Sequence, residues 1–217
     1  MADMRAFRDA VTSWAAGSPG GPADEQTSES AGESAGELAV RLGVRTAVLL
    51  EGPSDLAAVE ALAGRYGRDL AAEGVCVIPM GGAMNIGRYA GLLGPPGLGL
   101  RLAGLCDEGE QGFYERGLER AGAPRQGFFV CAADLEDELI RALGVARVEE
   151  IVRAEGDLPA WQTFVRQPAH QGRSPQRQMR RFLGTKKGRK IRYGSLLVEA
   201  LDSAPVPAPL HDLLASL

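Results

Sequence analysis

The chain has few of the residues that build covalent or thiolate scaffolds. Its three cysteines, Cys76, Cys106 and Cys131, are odd in number and show no C-x-x-C spacing. That argues against a disulfide framework or a thiolate zinc site and favours buried, reduced thiols. The two histidines, His170 and His211, lie far apart without ligand spacing, which argues against an imidazole metal centre. No apolar run approaches the roughly 20 residues that cross a bilayer, and the N-terminus Met1-Ala-Asp-Met-Arg5 lacks the basic-then-apolar order of a signal peptide. The expectation is a cytoplasmic protein. Neither G-x-G-x-x-G nor G-x-x-x-x-G-K-[ST] occurs, so no nucleotide-binding fingerprint is present.

Acids are missing from one long stretch. Arg166 to Arg192 holds ten Lys or Arg residues and no Asp or Glu, so in a chain of net charge −4 the remainder carries −14. A solvated helix face explains many charge runs, but a block this one-sided favours a phosphate-rich partner.

With 45% hydrophobic and 24% charged residues, the 217-residue chain can bury a real core and suits one α/β domain with extensions. Val48, Leu49 and Leu50 form a short apolar run without alternation, which predicts a strand buried on both faces. Glu51 follows it. Gly52 and Pro53 then break the strand, Ser54 or Asp55 can cap a helix, and Leu56–Leu70 has helical spacing. Val75–Pro79 predicts a second strand, followed by Gly81-Gly82 and a helix Ile86–Leu93. Leu100–Cys106 predicts a third, running into Asp107-Glu-Gly-Glu110 and a helix Gln111–Ala121. Gly127–Cys131 predicts a fourth, followed by Asp134-Leu-Glu-Asp-Glu138. There Asp134 is a natural N-cap, with Asp137 at the third helical position.

Each acid has an ordinary explanation: a cap, or a first-turn charge meeting the helix dipole. Their recurrence after three strands does not. Ligands bind at the carboxyl ends of strands in such sheets. Crowded carboxylates call for a cation, and a hard ion such as Mg²⁺ suits oxygen donors and phosphate substrates. Two such ions can activate water and stabilise the leaving oxygen of a phosphodiester.

The flanks read differently. Residues 1–14 predict a short amphipathic helix through Met4, Phe7, Val11 and Trp14, without an evident partner; a docking element for another protein is one use for it. Residues 15–37, rich in Gly, Ser, Ala, Pro and acids, predict a flexible linker. The α/β domain is placed at 38–145. A helical extension occupies 146–217, with helices at Val145–Ala154, Trp161–Val165, from Ser174 or Pro175 to Leu183, and Ile191–Leu201, and a stiff Pro205–Leu210 segment before a last short helix.

Glu51-Gly-Pro-Ser-Asp55 after a strand, Gly81-Gly82 after the next, Asp107 after the third and Asp134-Leu-Glu-Asp-Glu-Leu139 together resemble the Toprim domain of the OLD (overcoming lysogenization defect) family nucleases. The resemblance covers about Val44 to Leu143 and extends toward Lys190. It implies an α/β Toprim fold with a Rossmann-like, mostly parallel sheet, and a DNA endonuclease that uses Mg²⁺ or Mn²⁺, two ions, to cleave phosphodiester bonds.

Carried over by residue, it implies Glu51 and Asp55 as metal ligands, with Glu51 also in proton transfer. Asp107 matches the first acid of an Asp-x-Asp motif whose second position is Gly109, so Glu110 or Glu108 is the substitute. Glu136 is the acid after the fourth strand, with Asp137 as alternate. Lys190 is the lysine near the scissile phosphate, with Lys187 as runner-up. Arg177, Arg180, Arg181, Lys186, Lys187 and Arg189 would contact the nucleic-acid backbone. OLD nucleases usually join this domain to an ABC-type ATPase, whose Walker A loop is absent from this sequence. The reading is therefore of a stand-alone domain with DNA as partner, and with a separately encoded ATPase or a second copy of the chain as further candidates. A non-catalytic nucleic-acid-binding or regulatory module, and a nucleotidyl transferase, are the competing readings.

Overall fold

A computed structural model describes residues 4–17, 22–202 and 204–217. In chain order its elements are α1 (Met4–Ala16), α2 (Pro22–Leu42), β1 (Thr46–Leu50), α3 (Pro53–Arg65), β2 (Val75–Pro79), α4 (Ile86–Leu93), β3 (Arg101–Asp107), α5 (Gln111–Arg120), β4 (Phe128–Cys131), α6 (Leu135–Leu143), α7 (Val145–Ala154), α8 (Leu158–Arg166), α9 (Pro175–Leu183), α10 (Lys187–Glu199) and α11 (Ala208–Ser216). The strands pair in parallel in the order β2-β1-β3-β4. All five residues of β1 are buried.

Alternate residues of each strand feed two separate cores. Val48, Leu50, Val75, Val77, Ala103, Leu105 and Cys131 meet α3 and the helices from α6 onward. Ala47, Leu49, Cys76, Ile78, Leu102 and Cys106 meet α1, α2, α4 and α5. This is why the strands read as continuous apolar runs. The three cysteines are free and buried, as expected, and burial pushes Cys76 up to about 12 and Cys106 up to about 11. Among the described residues no helix is long and apolar enough to cross a membrane.

The linker expected at 15–37 needs correction. Residues 18–21 lie outside the described ones, but 22–37 belong to α2, which continues through the proposed boundary at 38 to Leu42. The composition is low in large apolar groups but rich in Ala and Glu, both good helix formers. Small residues also allow close packing: Ala35 and Ala39 are buried, and a Cβ added at Gly32 would lie 2.9 Å from the Trp14 ring. Helix α1 is likewise part of the fold. Phe7, Val11 and Ala15 are buried in the same core as β1 and β2, and Arg8 pairs with Glu60 of α3 at 2.9 Å. The extension after 145 also shares a core with the sheet, through Val148, Trp161, Phe182 and Leu197.

Helix α10 lies directly on α3. A Cβ at Gly194 would sit 2.5 Å from the Ser54 carbonyl oxygen, closer than any real contact. Gly194→Ala is therefore expected to cost about 1–3 kcal/mol. Urea denaturation should show a lower midpoint at unchanged slope.

Candidate metal centre

The chain leaves β1 in one direction to form β2 and returns on the other side to form β3, so β1 and β3 flank the point where the strand order reverses. Ligands bind at the carboxyl ends of strands flanking such a point. Glu51 directly follows β1, and Asp107 is the last residue of β3. The backbone holds Glu51 in place: its carbonyl accepts hydrogen bonds from the N–H groups of Gly81 and Gly82, each at 3.0 Å. Those glycines adopt φ of 75° and 129°, which side-chain-bearing residues rarely do. The Gly-Gly pair noted in the sequence is thus a hook on Glu51.

Glu108–Glu110 forms a single 3-10 turn after β3. It turns Glu110 inward, so that carboxylate oxygens of Glu51, Asp107 and Glu110 lie within 4.8 Å of one another. Glu108 is exposed, and a Cβ at Gly109 would meet nothing. Of the two substitutes for the missing second acid, the geometry brings in Glu110. Its Oε2 is buried without a hydrogen-bond partner.

The crowding has electrostatic consequences. Asp107 is pushed up to about 8, first by burial and then by Glu51, Asp134, Asp55 and Glu110. Glu51 is raised by burial and by the charge of Glu110 and a hydrogen bond to it. Asp55 is not the N-cap of α3. That position is Gly52, and Asp55, at the third helical position, accepts the Gly52 N–H at 2.9 Å. Burial and the charge of Glu136 push Asp55 up to about 7.

Glu136 is only 5% exposed and receives Lys190 Nζ at 3.3 Å. Burial raises Glu136, and Lys190 offsets this only in part. Burial also opposes the Lys190 charge, but Glu136 and Asp55 outweigh it and hold the ammonium above its usual range. Helix α10 begins at Lys187, four residues before the expected start, which places Lys190 in its first turn.

Asp137 does not join the cluster. Its N–H donates to Asp134 as the capping rule predicted, and its carboxylate accepts from Gln176 of α9 at 2.9 Å. Asp134, read from sequence as a cap alone, does more. It caps α6 through Oδ1, pairs through Oδ2 with Arg180 Nε at 2.6 Å, and its charge acts on Asp107 and Glu51. Ala133 before it has φ 69°, a left-handed conformation that costs a non-glycine residue energy.

Beside the acids opens a cleft of about 530 Å³ in which Arg173, Arg177, Arg180, Arg181 and Lys190 face Asp134 and Glu136. The expected Arg177, Arg180 and Arg181 are here; Arg173 is an addition. Lys186 is exposed on a neighbouring cavity, and the Lys187 side chain lies outside the described residues.

Arg189 is corrected. It is 8% exposed, donates to both oxygens of Asp157 at 3.3 Å and to Thr185 Oγ1 at 2.7 Å, and lies 4.1 Å over the Phe182 ring. It faces the interior because the phase of α10 turns it toward Asp157, which also binds Arg192 and Tyr193. Arg189→Ala removes the packing over Phe182 and one of the three donors to Asp157, which keeps Arg192 and Tyr193, and is expected to cost about 1–3 kcal/mol in thermal denaturation.

Three carboxylates this close cannot all stay ionised without a neutralising cation. The donors are oxygens only, which fits a hard divalent ion, and the unpartnered Glu110 Oε2 is an atom such an ion would complete.

Residues 44–108 match the model of the TOPRIM domain of overcoming lysogenization defect protein-like proteins. Among solved structures, the C-terminal region of the Burkholderia pseudomallei OLD protein is similar with a TM-score of 0.59 and 21% identity, covering 80% of this chain and 96% of that one. The C-terminal region of the Xanthomonas campestris pv. campestris OLD protein, phased with mercury, is similar with a TM-score of 0.58 and 24% identity, covering 79% and 93%. A search of curated proteins gives no match.

Proposed function

We propose that this chain, which carries an OLD-like TOPRIM domain over residues 44–108, is a divalent-metal-dependent nuclease that cleaves DNA phosphodiester bonds. The observation that carries the reading is the meeting of Glu51, Asp107 and Glu110 within 4.8 Å, next to a cleft that gathers four arginines and Lys190. Mg²⁺ or Mn²⁺ would be held by these three acids and by the neighbouring Asp55 and Glu136, the pattern of a two-metal site. When bound, such ions neutralise phosphoryl oxygens and lower the pKa of a coordinated water.

The side chains supply the rest. Arg173, Arg177, Arg180 and Arg181 hold backbone phosphates by charge, without reading bases. Lys190, anchored by Glu136, offers a fixed ammonium to the charge that develops on the phosphoryl group during cleavage. With the metal in place Glu51 would be held ionised, available as a ligand and as the acceptor of a proton from the attacking water.

Incubation of supercoiled plasmid with the purified protein in Mg²⁺, Mn²⁺ or EDTA tests this. Nicked or linear product in either metal and none in EDTA is expected. No cleavage in any condition, with DNA affinity indifferent to Asp107→Ala, would leave the non-catalytic binding module instead. Arg177→Ala, on the exposed lip of the cleft, is expected to weaken DNA binding and reduce the salt slope of log K by about one.

A further inference from the structure

Two side-chain oxygens at the start of α5 are buried without a hydrogen-bond partner among the described residues: Glu110 Oε2 and the hydroxyl of Tyr114. The first belongs to the metal centre. The second, on a residue only 3% exposed, has no part in the mechanism above. Burying an unpartnered hydroxyl costs free energy, and a phenylalanine would fill the same space without it.

The backbone brings the two groups together. Glu110 occupies the capping position of α5 with near-helical dihedrals, and Tyr114 lies four residues on, so their side chains share one face a turn apart. Helical side chains lean toward the N-terminus of their helix, which tilts the Tyr114 ring back toward Glu110. Leu49 and Cys106 face the same core as Tyr114, and the alternation that points Leu49 there carries Glu51 to the same side, where it hydrogen-bonds Glu110. Burial, then Cys106 and the charges of Glu51, Asp55 and Glu110, push the Tyr114 phenol far above its ordinary range, so the hydroxyl keeps its proton. The ring is also fixed in place. It packs edge-on against Phe128 at 5.8 Å, and α5 is pressed against α4 so closely that a Cβ at Gly117 would lie 2.7 Å from Ile86.

We propose that Tyr114 is a positioning residue of the metal centre, whose hydroxyl donates to Glu110 and fixes the rotation of that carboxylate, leaving its other oxygen turned to Glu51 and Asp107. A glutamate has a long side chain to order, and a hydrogen bond to the oxygen that a metal does not take is how ligating carboxylates are held. The inference rests on the metal-dependent reading of the site.

Calorimetric titration of the full chain with Mn²⁺ at neutral pH, beside melting curves in EDTA, compares wild type with Tyr114→Phe, which removes the hydroxyl alone. Expected are a loss of Mn²⁺ affinity of roughly tenfold or more and a metal-free melting temperature equal to or above that of wild type, because the variant no longer buries an unpaired hydroxyl. A hydroxyl that served only the core would give the opposite pair of results. Tyr89→Phe supplies that pattern: Tyr89 is 4% exposed in the same core, its hydroxyl meets Thr12 of α1, and the variant is expected to melt lower than wild type while binding Mn²⁺ within twofold of it. A Tyr114→Phe affinity within twofold of wild type overturns the proposal, as does an affinity lost only together with stability in EDTA. The two readings fail separately. A wild type that binds no Mn²⁺ removes the metal centre and this role with it, whereas equal binding by wild type and Tyr114→Phe removes the role alone.

Discussion

Glu51→Gln is expected to lower metal-dependent DNA cleavage by about 10³-fold or more, and Lys190→Ala by about 10²- to 10³-fold. Glutamine keeps the volume of Glu51 and leaves untouched the backbone hook in which its carbonyl accepts from Gly81 and Gly82. What disappears is one of three carboxylates within 4.8 Å, and with it both a metal ligand and a proton acceptor. Asp137→Asn is the comparison. Asp137 sits on the same segment as Glu136 but is engaged with Gln176, and its variant is expected to stay within about threefold of wild type.

Lys190→Ala needs separating from stability, because it strands a Glu136 that is 5% exposed. Lys190→Arg restores a cation for Glu136 while moving the charge. Stability recovered with activity still low is the result expected of a lysine that acts on the phosphate. Initial nicking rates at saturating Mn²⁺, measured beside melting curves, decide it. Equal losses in the Glu51 and Asp137 variants would show that acidity of the region, not the geometry of the cluster, is being read.

The strands and their order of carboxylates were legible because a parallel sheet buried on both faces leaves continuous apolar runs, and each run ended on an acid or a glycine turn. Val48–Leu50 was visible for that reason; Thr46 and Ala47, equally buried, were not, since neither is strongly apolar. The choice between Glu108 and Glu110 was illegible, because it depends on one 3-10 turn. Asp134 shows a different limit. The capping rule read one of its oxygens correctly and had no view of the other, which meets Arg180 from 46 residues away. The basic block failed at Arg189 for a reason of helix phase. Successive residues on a helix point about 100° apart, so Lys190 reaches Glu136 while Arg189 turns to Asp157, and a count of charges sees both alike. Helix α2 was missed because its fully buried described residues are the alanines Ala35 and Ala39, with Leu38 and Leu42 only partly buried at its end, which leaves no hydrophobic signature strong enough to outweigh its glycines and serines.

In EDTA the melting temperature is expected to fall by about 5 °C or more between pH 5 and pH 8, the opposite of what salt-bridged carboxylates produce. Asp107, pushed up to about 8, and Asp55, pushed up to about 7, bind protons more tightly when folded than when unfolded. Over the interval between their unfolded values near 4 and these folded values the native state holds more protons, so stability drops as pH rises. The acids lowered by arginine, Glu73 and Asp157, finish titrating below this window. His170, lowered by desolvation, works against the trend until its unfolded form has lost its proton, about a unit above 6.5. Deprotonated carboxylates are also what a divalent ion binds, so Mg²⁺ or Mn²⁺ should raise the melting temperature more at pH 8 than at pH 5. Asp107→Asn isolates the cause. Without the charge that Glu51, Asp134, Asp55 and Glu110 oppose, the metal-free variant should melt higher than wild type at pH 8, show a flatter pH slope, and gain little from added metal. Scanning calorimetry at pH 5, 6.5 and 8, with EDTA or Mn²⁺, measures all three. A metal-free wild type that grows more stable from pH 6.5 to pH 8, or an Asp107→Asn variant that keeps the full gain from metal, would mean that these acids are not crowded as the geometry requires.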